Sequence, residues 1–228
     1  MKRRNKLLAI AILLIGVSFI TSCDIVVRKG NVEKVTVTQN NSIKVRDFNE
    51  IQVSNAADVK YVAGGGAPSV VVTADDDILD KVVVKVVDHK LYLGLKGCVS
   101  YNTLKFEVHG TTMIEEIDAM GASSVEVIGE LNPRNLDIDC TGASKVNING
   151  VSCAELKIDC MGASYVKAEK IDCDELDVDC SGASKVSLDG RCQNAKYEAN
   201  GASMIKASSL QTVKIEKIEA NGASKIIQ

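Results

Sequence analysis

Three groups of residues in this 228-residue chain are of types that could do chemistry. The triplet Gly-Ala-Ser occurs six times, beginning at Gly121, Gly142, Gly162, Gly182, Gly201 and Gly222. A nucleophilic serine needs a positioned base and an oxyanion hole. Six equivalent serines would have to share His89 and His109, the two histidines of the chain. The serines are therefore expected to be structural, their hydroxyls hydrogen-bonding from one copy to the next. Carboxylates form the second group. Asp118, Asp139, Asp159, Asp179, Glu198 and Glu219 each stand three residues before a repeat glycine. Glu116, Asp137 and Asp177 lie two residues further upstream, where other copies carry Lys157, Lys196 and Lys217. Clustered carboxylates suit a hard cation such as Ca²⁺, which takes six to eight oxygens. Asp137, Asp139, Asp159, Asp177 and Asp179 are the candidate ligands, although a flat face offers few oxygens to one ion. The competing expectation is a solvated acidic face relieved by Lys157 and by counterions. Asp75-Asp76-Asp77 is open to the same two readings.

Cysteines are the third group. Cys140, Cys160 and Cys180 recur at one position of the repeat, and Cys153, Cys173 and Cys192 at another. There is no Cys-x-x-Cys spacing and no histidine nearby, so a zinc centre is not expected. Three members per column cannot all pair. The first column has alanine in its other copies, Ala119, Ala199 and Ala220. Buried free thiols filling a narrow core are the expectation, and no cofactor is implied.

The spacing of the repeat glycines, 21, 20, 20, 19 and 21 residues, marks a repeat architecture. Four positions before each glycine stand Ile117, Ile138, Ile158, Val178, Tyr197 and Ile218. Four positions after it stand Val125, Val146, Val166, Val186, Ile205 and Ile226. Apolar residues at every second position, with polar ones between, have the period of a strand. Each repeat thus holds two short strands bent at the glycine, a turn, and a third short segment. Strands this short cannot bury a core within one repeat. They can if successive copies stack about 4.8 Å apart. The expected class is all-β, a parallel β-solenoid with rungs of about 20 residues. Further upstream, Ile51–Val59 matches Ile138–Val146 position by position, and the 66 residues from Asn55 to Gly121 fit about three more rungs.

Composition narrows the partners. The chain is 46 % hydrophobic and 25 % charged, which is globular, and has no Trp, 3 Phe and 5 Tyr. From Cys23 onward the formal charge is −7, so a nucleic-acid partner is not expected. At the N-terminus Lys2, Arg3, Arg4 and Lys6 precede an apolar run over Leu7–Ile20 and then Thr21-Ser22-Cys23. Residues 1–22 read as an export signal. The ending resembles a bacterial lipobox, in which Cys23 would become the acylated N-terminus. Residues 23–47 are then expected to be a lipid-anchored linker and cap, and residues 48–228 the solenoid.

Repeated Gly-Ala-Ser-Lys-Val segments after such a signal resemble the auto-transporter adhesin head GIN domain family. Ala56-Ala57-Asp58-Val59 and Asp77-Ile78-Leu79-Asp80-Lys81 resemble its N-terminal part. The resemblance implies a right-handed parallel β-helix, an envelope location, with the outer membrane as the expected site, and an adhesion-like role. It brings no catalytic residues. The expected partners are the membrane, through lipid on Cys23, and a surface glycan or protein. Two other readings stay open: a carbohydrate-active β-helix enzyme of the pectinase kind, and an envelope scaffold that associates through its ends. No capping unit follows the last repeat at Ile226-Ile227-Gln228, so weak end-to-end self-association through the last rung is expected.

Overall fold

The computed structural model describes residues 41–228, which form one 16-stranded sheet wound into a β-solenoid of about six turns. Cys23 and the expected export signal lie outside the described residues.

The repeat half follows the spacing of its glycines. Strands β8 (Glu116–Ala119) and β9 (Ser124–Ile128) are joined by the Gly121 bend. Strands β10 (Asn135–Cys140) and β11 (Lys145–Ile148) repeat the arrangement one coil on. In the next coils the sides fuse into longer bent strands: β12 (Val151–Cys160), β13 (Tyr165–Cys180), β14 (Lys185–Gly201) and β15 (Met204–Gly222). The short β16 (Lys225–Ile227) closes the series. All pair in parallel, in register apart from irregularities after Ala168, Ser187 and Ala195, so that Ile117, Ile138, Ile158, Val178 and Tyr197 stack as one column. Every member of that column is at most 1 % exposed. Burial of these alternate positions is the main stabilising term, since a fully buried Val or Ile contributes roughly 1.5–3 kcal/mol over an exposed one.

Glycine is required at the bend for a reason specific to stacking. Gly162 has φ +84°, a left-handed conformation, and a Cβ there would lie 2.5 Å from the Gly142 carbonyl oxygen. That carbonyl accepts the hydrogen bond of the Ala163 N–H at 2.7 Å, and the same bond recurs from Ala183 to Gly162 and from Ala202 to Gly182. The triplet is a hydrogen-bonded turn stacked upon itself. The serines are buried beside it. Ser203 Oγ donates to the Cys180 and Asn200 carbonyls at 3.1 and 2.9 Å, and Ser184 Oγ to the Cys160 carbonyl at 3.2 Å. Hydroxyls therefore bond to backbone carbonyls of the coil below and of their own turn, not to one another. Ser144 Oγ makes no such bond; the Cys140 thiol is its polar neighbour.

The first half departs from the expected three rungs. Strands β2 (Glu50–Val53) and β3 (Asp58–Ala63) stack directly on β8 and β9, pairing Ile51 with Ile117 and Val59 with Val125. The intervening residues leave the stack and return beneath it. They comprise β4 (Ser69–Ala74), a 3₁₀ turn (Asp76–Lys81), β5 (Val82–Val87), β6 (Lys90–Leu95) and β7 (Leu104–Gly110). Here β6 and β7 build one parallel coil below β2 and β3. Then β5 pairs antiparallel with β6, β4 antiparallel with β7, and β1 (Ser42–Lys44) antiparallel with β4. The segment thus holds one coil and an antiparallel cap. The cause is connectivity: the antiparallel pair of β5 and β6 is joined by a tight turn at Asp88 and His89, both with positive φ. Such a turn returns a strand beside its predecessor and cannot continue a parallel stack. Ile43, Val70, Ile78 and Val84 are buried in and under the cap, which closes that end of the core.

Candidate functional site

Alternation dictates that residues between the inward columns face out, and in-register stacking turns them into files. One file is Asp118, Asp139, Asp159, Asp179, Glu198 and Glu219, each paired with the next. Beside it run Lys90, Glu50, Glu116, Asp137, Lys157, Asp177, Lys196 and Lys217, also in register. Carboxylates spaced by one strand repel by roughly 1 kcal/mol per pair even in water. The face relieves this in two ways. Lys157 Nζ donates to Asp159 at 2.6 Å, and Lys217 Nζ to Glu198 at 2.5 Å. Burial also raises the pKa of Asp139 and Asp179, each helped by its neighbouring acid, Asp159 and Glu198 respectively.

The most buried point of the face is where the parallel coil of the excursion meets the repeat. Lys90 Nζ stands 2.9 Å from Glu116, 3.0 Å from Asp118 and 3.3 Å from Glu50. Asp118 is only 7 % exposed. Burial raises its pKa to about 6 against the opposing hydrogen bond of Lys90. Burial works against the ammonium of Lys90 too, but its bonds to Glu116 and Asp118 outweigh that and hold its pKa above the usual lysine value. Lys90 was not legible as part of this face. Its position depends on the excursion, which carries residue 90 back beneath residue 50. A signal existed in retrospect: Lys90-Leu91-Tyr92-Leu93 has the same alternation as Glu50-Ile51-Gln52-Val53.

Of the five candidate cation ligands, the structure gathers one into a cluster. Asp139 has a carboxylate oxygen within 4.8 Å of those of Glu116 and Asp118. Asp137, Asp159, Asp177 and Asp179 continue the files singly. Glu116 and Asp118 are already bonded to Lys90, which supplies them with a countercharge. Asp75 and Asp76 do not join the face; Asp75 Oδ2 accepts from the Asn102 N–H at 2.6 Å and so ties two loops together.

The six cysteines of the repeat are free and stand in two columns, Cys140–Cys160–Cys180 and Cys153–Cys173–Cys192. Contact with Cys160, together with burial, pushes the Cys140 and Cys180 thiols well above the ordinary range. Thiols held protonated in a core, as at Cys140 and Cys180, are inert packing groups. His109 lies 3.0 Å from Glu107 and His89 in the turn between β5 and β6, so neither approaches a repeat serine. A shallow groove at the capped end is lined by Arg46, Asp47, Val86, Asp88 and His89. Arg46 Nη2 is held there by the Val86 carbonyl at 2.7 Å. Among the described residues no helix is long and apolar enough to cross a membrane.

A stack of parallel coils carrying charged files on a flat face, with an antiparallel cap at one end, defines a parallel β-solenoid of the repeat type. The family model described as "Putative auto-transporter adhesin, head GIN domain" matches residues 47–169 and 154–227, and the chain belongs to that family. Among solved structures, one described as a "Putative lipid binding protein" from Parabacteroides distasonis superposes with a TM-score of 0.69 at 18 % identity. It covers 82 % of this chain and 96 % of its own. A "putative adhesin" from the same organism gives a TM-score of 0.67 at 16 % identity, covering 82 % and 95 %. A "putative adhesin" from Bacteroides fragilis gives 0.59 at 19 % identity, again over 82 % and 95 %. At these identities the likeness is one of fold. No curated protein is detectably similar to the chain.

Proposed function

We propose that the chain is a non-catalytic binding module of the bacterial envelope, an adhesion head anchored by lipid on Cys23 and presenting its charged face to a surface protein or glycan. Membership of the adhesin head family supports a binding role. One observation carries the non-catalytic part: the carboxylates repeat coil after coil in register, and the cluster gathered among the described residues, Glu116, Asp118 and Asp139, already holds the ammonium of Lys90. Glycoside hydrolysis needs two acids flanking one bond, one with a raised pKa beside a cleft. Here the carboxylate raised furthest, Asp118, is covered by Lys90. A repeating face suits a ligand that is itself extended, since many weak contacts then act together.

The anchor and the binding role are tested together in cells. A fatty-acid analogue should label the wild-type chain, and Cys23→Ala should lose the label. Cells displaying the wild-type chain should be retained on a coat of host matrix protein or glycan. Labelling that persists in the Cys23→Ala chain removes the anchor. Wild-type cells retained no better than cells lacking the chain, across both kinds of coat, remove the adhesion role.

A further inference from the structure

The two ends of the solenoid differ. At the capped end the core is closed by antiparallel strands, with Val84 at 5 % and Val70 at 0 % exposure. At the other end Ile218 is 49 % exposed, although its five counterparts in the column are at most 1 % exposed. Ile215 is 39 % exposed, while Leu136, Leu156, Leu176 and Ala195 below it are at most 1 % exposed. Val213 adds 78 % exposure at the same edge. Strand β16 covers only Met204–Lys206 of β15, so among the described residues nothing pairs with the far edge of 213–220.

The sequence of that edge is Val213-Lys214-Ile215-Glu216-Lys217-Ile218-Glu219-Ala220. Laid antiparallel against itself about a point between Glu216 and Lys217, it sets Lys214 opposite Glu219, Ile215 opposite Ile218, Glu216 opposite Lys217 and Val213 opposite Ala220. Every charge meets its opposite and every apolar side chain meets another. The faces agree as well. Lys214, Lys217 and Glu219 continue the outward files of Asn194, Lys196 and Glu198, whereas Ile215 and Ile218 continue inward columns. The irregularity of β15 between Ile215 and Lys217 places Glu216 as the extra residue, so the two irregularities would meet at the axis. Within one copy these charges are already held in place, Lys214 on Glu216 at 2.9 Å and Lys217 on Glu219 at 3.3 Å.

We propose that the open end is a homodimer interface, in which two copies join edge to edge through residues 213–220, antiparallel about a two-fold axis between Glu216 and Lys217. The union continues the sheet across the axis and buries Ile215 and Ile218 of both copies. A second copy fits better than an unrelated strand because the pattern is complementary to its own reverse. The contact is isologous and closes on itself, so it ends at a dimer. A filament would need the capped end as a second, different edge. The inference stands independently of the adhesion role.

The test is sedimentation equilibrium of the full chain in density-matched detergent. A concentration-dependent equilibrium between one and two copies is expected. Lys214→Glu alone and Glu219→Lys alone should each weaken dimerisation about ten-fold, because each creates two like-charge pairs across the axis. The double variant Lys214→Glu/Glu219→Lys restores both pairs and should return to within about three-fold of wild type. On the unmutated chain, zero-length carbodiimide coupling of isotope-labelled with unlabelled copies should give mixed-label Glu216–Lys217 links. A chain that stays monomeric throughout overturns the proposal. So do a dimer indifferent to the single reversals, species larger than a dimer, and links found only within one copy.

Discussion

At the bends from Gly142 onward a single atom, the carbonyl oxygen of the glycine below, decides what the chain tolerates. A Cβ on Gly162 meets the Gly142 carbonyl oxygen that Ala163 uses for its hydrogen bond, and the backbone there is left-handed. Gly162→Val should therefore cost more than about 2 kcal/mol, measured by denaturant unfolding. An unchanged midpoint would mean that the coils do not stack at this turn. The serines separate more finely. Ser203→Ala removes one hydroxyl donor shared between the Cys180 and Asn200 carbonyls and should cost about 1 kcal/mol, whereas Ser144→Ala removes no bond to a carbonyl and should be nearly neutral. Equal losses would show that the serine column acts as one unit. The Lys90 cluster makes a pH prediction. Asp118 has a folded pKa raised to about 6 from 3.8, so between those values the folded chain holds a proton that the unfolded chain has lost. Its contribution to stability is full below about pH 4 and declines as pH rises through 6. Wild type should lose stability relative to Asp118→Asn over that window. A difference that grows with pH would place the carboxylate below its ordinary pKa.

Elements show where sequence was sufficient and where it was not. The repeat glycines and the alternate Val and Ile columns specify strand, bend and register from 116 onward, because one spacing recurs and each inward column must stay inward. The match of Ile51–Val59 to Ile138–Val146 also holds in space, through Ile51 on Ile117 and Val59 on Val125. Between them the signal was ambiguous for a physical reason. Val82–Val87 and Lys90–Leu95 alternate or are β-branched whether they pair in parallel or antiparallel, and local pattern does not encode the choice. The Asp88-His89 turn decided it, and with it the placement of Lys90. In the gap at the glycine column, Asn55 takes the left-handed bend with φ 61°, and its Oδ1 accepts from the Leu95 N–H at 2.9 Å. The acidic file was legible because it follows from the repeat; its countercharge was not, because it comes from outside the repeat. Since the cap strands β1, β4 and β5 join the sheet at its edges by antiparallel pairing, Val84→Lys should open the cap while the coils remain folded. Hydrogen exchange should then accelerate over residues 69–87 and leave 136–200 protected. Uniform loss of protection would show that cap and coils form one cooperative unit.

For the whole molecule, the described residues form a parallel stack whose flat sides carry charged files and whose core takes in Cys140, Cys160, Cys173, Cys180 and Cys192 and the serines from Ser123 to Ser203 of the repeat. The enzyme reading would require the same molecule to hold one bond between two particular acids, whereas in the cluster of Glu116, Asp118 and Asp139 the first two are bonded to Lys90. The fold alone does not separate these functions, since sites and not folds carry chemistry. The most direct test therefore measures retention and turnover on one surface. The purified chain is applied to arrays of polysaccharides and matrix proteins, bound chain is quantified, and released sugar or peptide is assayed in the same wells. The account predicts retention on a subset of ligands with no product above blank, and retention reduced about ten-fold by joint replacement of Asp139, Asp159 and Asp179 with Asn. Product released in proportion to bound chain would contradict it.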